Sequence, residues 1–164
     1  MSKIILSQKY ISSICKLALN EDLYPSGDIT TNLIKYGTNK SAKIISNKQG
    51  ILAGTDFVKH TFSLIDRKLV VSFKKKNGSI IKKGEVICVI QGEIKNILIG
   101  ERVALNFLSH ISGIATQTNK YLKIVKGRCK ICCTRKTTPT LRVIQKYAVR
   151  IAVSYTHLTL PTKA

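Results

Sequence analysis

The sequence predicts an α/β fold, and three observations predict it. Strand and helix patterns mix over about the first ninety residues, punctuated by glycine turns and one hairpin signal, which is the pattern of an α+β domain. Over residues 130–149 a short apolar run, a charged cluster and an apolar-periodic segment follow one another. That order is the strand–loop–helix unit of a parallel α/β layer or barrel. The chain has 164 residues, 44% of them hydrophobic and 22% charged. It can therefore bury a real core, in one or two small domains.

The elements follow in order. Gln8 to Asn20 carries Ile11, Ile14, Cys15, Leu17, Ala18 and Leu19 at near-helical spacing, with Ser7 placed to cap it. Pro25 and Gly27 break this helix, and Asp28 or Thr30 can cap a short turn beyond it. Ser41 to Ser46 reads as a strand, Gly50 and Gly54 bracket a turn, and Thr55 to Ile65 reads as a helix. Leu69 to Phe73 is a strand, Asn77-Gly78 is the hairpin signal, and Glu85 to Ile90 is a strand ended by Gln91-Gly92. A long helix starts near Lys95. Gly113 interrupts it, and Ile114 to Val125 continues as a second helix or a kinked extension, capped by Gly127. Lys130 to Cys133 reads as a short strand, and a helix runs from Thr140 to about Val149.

The formal net charge of +20 is the outlier in the composition. Such an excess attracts nucleic acid, anionic membrane or small phosphorylated and carboxylated molecules. The cations are dispersed apart from Lys74-Lys75-Lys76, and aromatic residues are only 6%, so the clustered basic and aromatic surface of a nucleic-acid module is missing. Lys74 to Lys76, before a hairpin, reads as a solvated edge that discourages strand pairing. No run reaches the ~18 apolar residues of a membrane span, and Met1 to Tyr10 lacks the pattern of a secretory leader. Cys129 and Cys132 have the gap of a zinc or redox pair, but no matching second pair follows. Half-buried thiols on a strand, in a reducing cytoplasm, are the expectation.

Chemistry concentrates at Thr134-Arg135-Lys136-Thr137-Thr138-Pro139. A guanidinium grips a carboxylate or phosphate with two parallel hydrogen bonds, and an ammonium acts as a movable point charge. At the C-terminal end of a strand this set suits a small polyanion. Each candidate also has a plainer reading. Arg135 and Lys136 fit an exposed loop, Arg102 beside Glu101 fits helix surface charge, and His110 near Phe107, Leu108 and Ile111 fits a packed or surface histidine better than a base.

Three blocks resemble the quinolinate phosphoribosyltransferase family, in its order and spacing. They are Ala18 to Leu23 with Gly27 to Thr31, Gly100 to Leu108 running on to Ser112 to Thr116, and Thr134 to Pro139 with Leu141-Arg142 and Lys146 to Val149. The resemblance spans roughly residues 10–150. It implies a pentosyltransferase of NAD biosynthesis. That enzyme moves phosphoribosyl from phosphoribosyl pyrophosphate to quinolinate, with decarboxylation to nicotinate mononucleotide. It implies an α/β N-terminal domain over residues 1–110 and the first part of an incomplete α/β barrel over 111–152. It further implies a homodimer or larger homo-oligomer whose sites take residues from both subunits. Carried over residue by residue, Arg102 reaches into the neighbour's site, while Thr134, Arg135 and Lys136 bind quinolinate carboxylates and phosphoribosyl oxygens. Arg135 and Lys136 would also stabilise the departing pyrophosphate. Mg2+ would arrive with phosphoribosyl pyrophosphate; no residue of this chain is assigned to it.

The sequence departs from the family pattern at Cys133, at Thr140, and after Val149. There the expected glycine-rich turn and His-Arg pair are replaced by Ile151 to Ala164. Residues 153–164 read as a non-native tail on a truncated chain, and residues 1–164 alone are expected to bind substrate poorly and not turn it over. A same-fold paralogue with another acceptor, of the molybdate-uptake-associated type, is the first alternative, and a basic nucleic-acid-binding module is the less favoured second.

Overall fold

A computed structural model describes residues 6–28, 31, 34 and 38–159, with side chains of the last helix described to residue 154. Helix α1 spans Gln8–Asp22, and the Ser7 hydroxyl accepts the Tyr10 amide N–H at 3.2 Å, so the expected cap is the observed one. Ile11, Cys15 and Leu19 form its buried stripe at a four-residue period. The Asp28 carboxylate accepts the Thr31 amide N–H at 3.0 Å and also the Thr31 hydroxyl. Thr30, the other expected cap, lies outside the described residues.

The chain continues through β1 (Asn39–Ile45), β2 (Gly50–Ile51), α2 (Thr55–Ile65), β3 (Val70–Phe73), β4 (Ile80–Ile81), β5 (Val86–Glu93), α3 (Ile94–Val125) and α4 (Arg142–Thr159). β1, β5 and β3 form an antiparallel sheet in that order, and β2 pairs with β4. The register puts Ala42 opposite Ile90, Ile44 opposite Cys88, Val71 opposite Ile90 and Phe73 opposite Cys88. The period of two thus collects these apolar side chains on one face. That face joins Val58, Phe62, Ile97, Ala104 and Leu108 of α2 and α3 in one core. A second core gathers Ile11, Cys15, Phe57, Ile111, Ala115, Ile144, Tyr147, Ala148 and Ala152 from all four helices. α3 contributes to both, which makes it the central strut of the fold.

The structure corrects several expectations. Asn77-Gly78 makes a turn, with the Ser79 N–H on Lys76 O at 3.1 Å, but not a hairpin. β3 pairs with β5, and β4 pairs with β2. The reason is competition for the turn's backbone. The Gly78 N–H donates to Leu52 O at 2.7 Å, and the Leu52 N–H donates to Ser79 O at 2.9 Å, so residues beyond β2 capture the segment. Nor does Gln91-Gly92 end β5, which runs on to Glu93, with Gly92 opposite Lys40 and Glu93 opposite Asn39. A Cβ at Gly92 would lie 2.5 Å from Leu69 Cδ2, and its φ is 148°; glycine serves close approach there, not strand termination.

Gly113 does not break α3, which is continuous over 32 residues. The turns on either side hold it in place. The Ser112 hydroxyl accepts the Ala53 N–H and donates to Ala53 O, both at 3.0 Å, and Thr116 Oγ1 accepts the Ile51 N–H at 2.8 Å. Lys75 is no free edge lysine. It pairs with Glu85 at 2.6 Å and donates to Ile80 O at 2.8 Å, and this ammonium holds the Glu85 carboxyl below its usual range. Residues 130–133 form no strand. A strand persists only beside a partner that satisfies its N–H and C=O groups, and among the described residues none pairs with them. α4 starts at Arg142 and extends ten residues past Val149 to Thr159; Arg150 to Thr159 contains no glycine or proline to stop it.

One polar junction ties α4 to the rest. Asn77 accepts the Thr55 N–H at 3.1 Å, and its side-chain NH2 reaches Tyr147 OH at 3.2 Å and Asp56 Oδ2 at 3.4 Å. Burial, and then the nearby Asp56 carboxylate, push the Tyr147 phenol above its ordinary value. Asn77→Ala strands the Thr55 N–H in a buried position, so it lowers stability by about 2 kcal/mol, read as a shifted urea midpoint. An unchanged midpoint would show that the junction is dispensable.

Candidate active site

α3 ends in two left-handed residues, Lys126 (φ 47°) and Gly127 (φ 78°), with the Lys126 N–H on Leu122 O at 3.2 Å. This is the expected glycine-assisted stop. The chain then turns back along residues 128–141 to α4. Thr134, Arg135 and Lys136 all lie in this connection and are all exposed. Pro139 precedes α4 by three residues rather than opening it.

The connection lacks regular structure but is anchored. Its restraints are the Lys136 N–H on Thr134 Oγ1 at 3.2 Å, the Thr137 hydroxyl on Arg135 O at 3.4 Å, and Arg142 Nε on Thr137 Oγ1 at 3.2 Å. Gln145 binds Thr138 twice: Oε1 accepts the Thr138 N–H at 3.2 Å, and Nε2 donates to Thr138 Oγ1 at 2.9 Å. Leu141, Ile144, Tyr147 and Ala148 seat the following helix in the helical core. Two exposed cations are thus held on a tethered segment. Neither the Arg135 guanidinium nor the Lys136 ammonium has a partner among the described residues.

The local field is one-signed. Lys126, Arg128, Lys130, Arg135 and Lys136 crowd this stretch, and Glu101 is the last acidic residue of the chain. An exposed run of cations without acids attracts small anions, although each repulsion within it is weak in water. This asymmetry was available in the sequence, but the total charge conceals it. Sequence reasoning also missed Arg142 and Gln145 as the anchors; a Thr and a Gln seven residues apart give no recognised motif.

The other candidates separate from this loop. Arg102 lies on α3, largely exposed, with Nε 3.8 Å from Asp22 Oδ1. Its side chain pairs with Asp22 of α1 and makes no hydrogen bond or ion pair with residues 134–136 among the described residues. His110 is exposed on the surface of α3. Cys129, Cys132 and Cys133 are exposed, not half-buried on a strand, because the strand does not form. Cys15 and Cys88 are buried, and burial pushes both thiols up to about 11. Among the described residues no three His, Cys, Asp or Glu side chains converge as a metal site.

Comparison with known proteins places the site in context. The family model for the N-terminal domain of quinolinate phosphoribosyl transferase matches residues 28–112, and that for its C-terminal domain matches residues 114–159. A probable carboxylating nicotinate-nucleotide pyrophosphorylase of Bacillus subtilis is 41% identical over 133 residues, covering 80% of this chain and 46% of that protein. One from Archaeoglobus fulgidus is 39% identical over 136 residues, covering 81% and 51%. The crystal structure of NadC from Streptococcus pyogenes superposes with a TM-score of 0.85 at 36% identity, over 90% of this chain and 54% of that one. The chain spans about half the length of the relatives it matches.

Proposed function

Because the chain belongs to the quinolinate phosphoribosyl transferase family, we propose that it provides the first cationic half of a site for phosphoribosyl transfer to quinolinate. In that reaction the quinolinate ring nitrogen displaces pyrophosphate from phosphoribosyl pyrophosphate. The adduct then loses carbon dioxide and leaves nicotinate mononucleotide. The single observation that carries this reading is the Thr134-Arg135-Lys136 segment: two unpartnered cations on a tethered, acid-free loop.

The division of labour follows from the side chains. Arg135 presents a planar fork to a quinolinate carboxylate. Lys136, a mobile point charge, faces the phosphoribosyl and departing pyrophosphate oxygens, where charge grows in the transition state. Thr134 Oγ1 is engaged as an acceptor by the Lys136 N–H, which leaves its own proton for substrate oxygen. No protein nucleophile is required. Mg2+ would enter with phosphoribosyl pyrophosphate and share in neutralising its phosphates. In this proposal its protein ligands come from the part of the family fold that this chain does not span.

Arg102 serves the site of a second copy in this proposal. Its exposure, with only a long pairing to Asp22, supports that role and a homodimeric or larger assembly. The division into residues 1–110 and 111–152 is proposed on the same footing, with α3 as a shared strut instead of a linker. Among the described residues no helix is long and apolar enough to cross a membrane, and a cytoplasmic setting is the proposed one.

The test is calorimetric titration of the chain with quinolinate and with nicotinate, which has one carboxylate fewer. Both bind weakly to this half of the site, as expected of this chain alone, but quinolinate binds at least about tenfold more tightly, since the second carboxylate gains a charge-assisted contact. Equal affinities, or no binding of quinolinate, would reject the dicarboxylate reading.

A further inference from the structure

The geometry points to Gln145 as a positioning residue for this site: its carboxamide clamps Thr138 and thereby fixes the segment that carries Arg135 and Lys136. The inference rests on the functional reading above and deepens it. Neither cation is held by its own side chain, so their relative placement depends on the backbone of residues 134–138. That backbone has no ladder or helical hydrogen bonds from residue 130 to residue 137. Its orientation is set from α4.

Three features make Gln145 the principal restraint. It uses both ends of the amide on one residue, accepting from the Thr138 N–H at 3.2 Å and donating to Thr138 Oγ1 at 2.9 Å. A two-point contact fixes direction as well as distance, where one bond leaves a free rotation. It is itself half-buried on the first turn of α4, with its N–H on Leu141 O at 3.0 Å, beside core residues Ile144 and Tyr147. The clamp is therefore mounted on a packed element. Its chemistry also matters to the site. With the Gln145 NH2 occupying a lone pair of Thr138 Oγ1, the hydroxyl proton points elsewhere, and Thr138 is exposed. The clamp thus adds an outward O–H donor beside two cations. Arg142 secures the neighbouring Thr137 from the same helix turn at 3.2 Å, so the loop is gripped at consecutive residues.

The experiment compares the wild-type chain with Gln145→Ala, Gln145→Asn and Gln145→Glu. Three quantities are read: circular dichroism melting, amide exchange of Thr138 by NMR, and the quinolinate dissociation constant. Gln145→Ala is expected to lose Thr138 protection and weaken quinolinate binding about tenfold. Gln145→Asn is about 1.5 Å shorter and behaves like it, which gives a second reading should the alanine variant fold poorly. Gln145→Glu accepts from both the Thr138 N–H and O–H and restores Thr138 protection, but it turns the hydroxyl proton inward and sets a carboxylate beside the two cations, so quinolinate binding stays weakened. A role confined to stability would lower the melting temperature and leave the dissociation constant of the folded fraction unchanged; that result overturns the proposal. So does failure of Gln145→Glu to restore Thr138 protection while it folds normally. Absence of quinolinate binding by the wild-type chain instead rejects the functional reading on which the proposal stands, and Thr138 exchange in the same samples tells the two failures apart.

Discussion

Arg135→Ala weakens quinolinate binding by about 100-fold, the larger of the two effects the structure leads us to expect at the site. A carboxylate held by two parallel charge-assisted hydrogen bonds loses both at once, and about 3 kcal/mol corresponds to that factor. The same substitution leaves thermal stability unchanged or slightly raised. Arg135 is exposed, makes no side-chain hydrogen bond or ion pair among the described residues, and sits in a stretch where every formal charge is positive. Removing one cation there relieves repulsion and breaks nothing. The divergence is the test. Affinity and melting temperature falling together would mark Arg135 as a structural residue. Arg135→Lys should recover part of the affinity, since charge is restored without the fork. Calorimetry at two salt concentrations adds a check, because an exposed ionic grip weakens as added salt shortens the screening length.

The fold was legible where local signals and tertiary packing agree. Ser7, the α1 stripe, Thr55–Ile65 and Gly127 were read from cap chemistry and periodicity, and each stands in the structure. The failures share one cause: a local signal met a long-range partner that sequence does not reveal. Asn77-Gly78 has the chemistry of a hairpin, yet residues 52–55 take up its hydrogen bonds. Gly113 weakens a helix intrinsically, yet Ser112 and Thr116 pin the flanking turns to Ala53 and Ile51. Lys130 to Cys133 has the composition of a strand and no neighbour to pair with. The site divides in the same way. Arg135 and Lys136 are conspicuous by their side-chain chemistry, whereas Arg102 is a candidate only through the family resemblance. Gln145 and Arg142 could not be named, since their role is to fix a backbone that only the folded chain displays.

Phe57→Ala is the substitution expected to cost most in stability, and it joins the fold to the site. Phe57 is fully buried at the start of α2, with its ring 5.1 Å from Phe107 and 6.3 Å from Tyr147 between centroids. It touches α1 as well, where the Cys15 thiol donates to Phe57 O at 3.5 Å. Truncation leaves a cavity at the meeting point of four helices, worth about 3–5 kcal/mol by analogy with buried phenylalanines elsewhere. Against the ~5–15 kcal/mol that stabilises a typical domain, the loss is severe. α4 should suffer first, because Tyr147 gives up one wall of its pocket and the connection ahead of it has no strand to fall back on. Thr138 and the residues before it would then loosen at denaturant concentrations where β1, β3 and β5 remain paired. Hydrogen exchange across a urea series measures this directly: early loss of protection in α4, with the sheet retained, is the expected order. Simultaneous loss everywhere would instead show that the helical core and the sheet core unfold as one cooperative unit through α3.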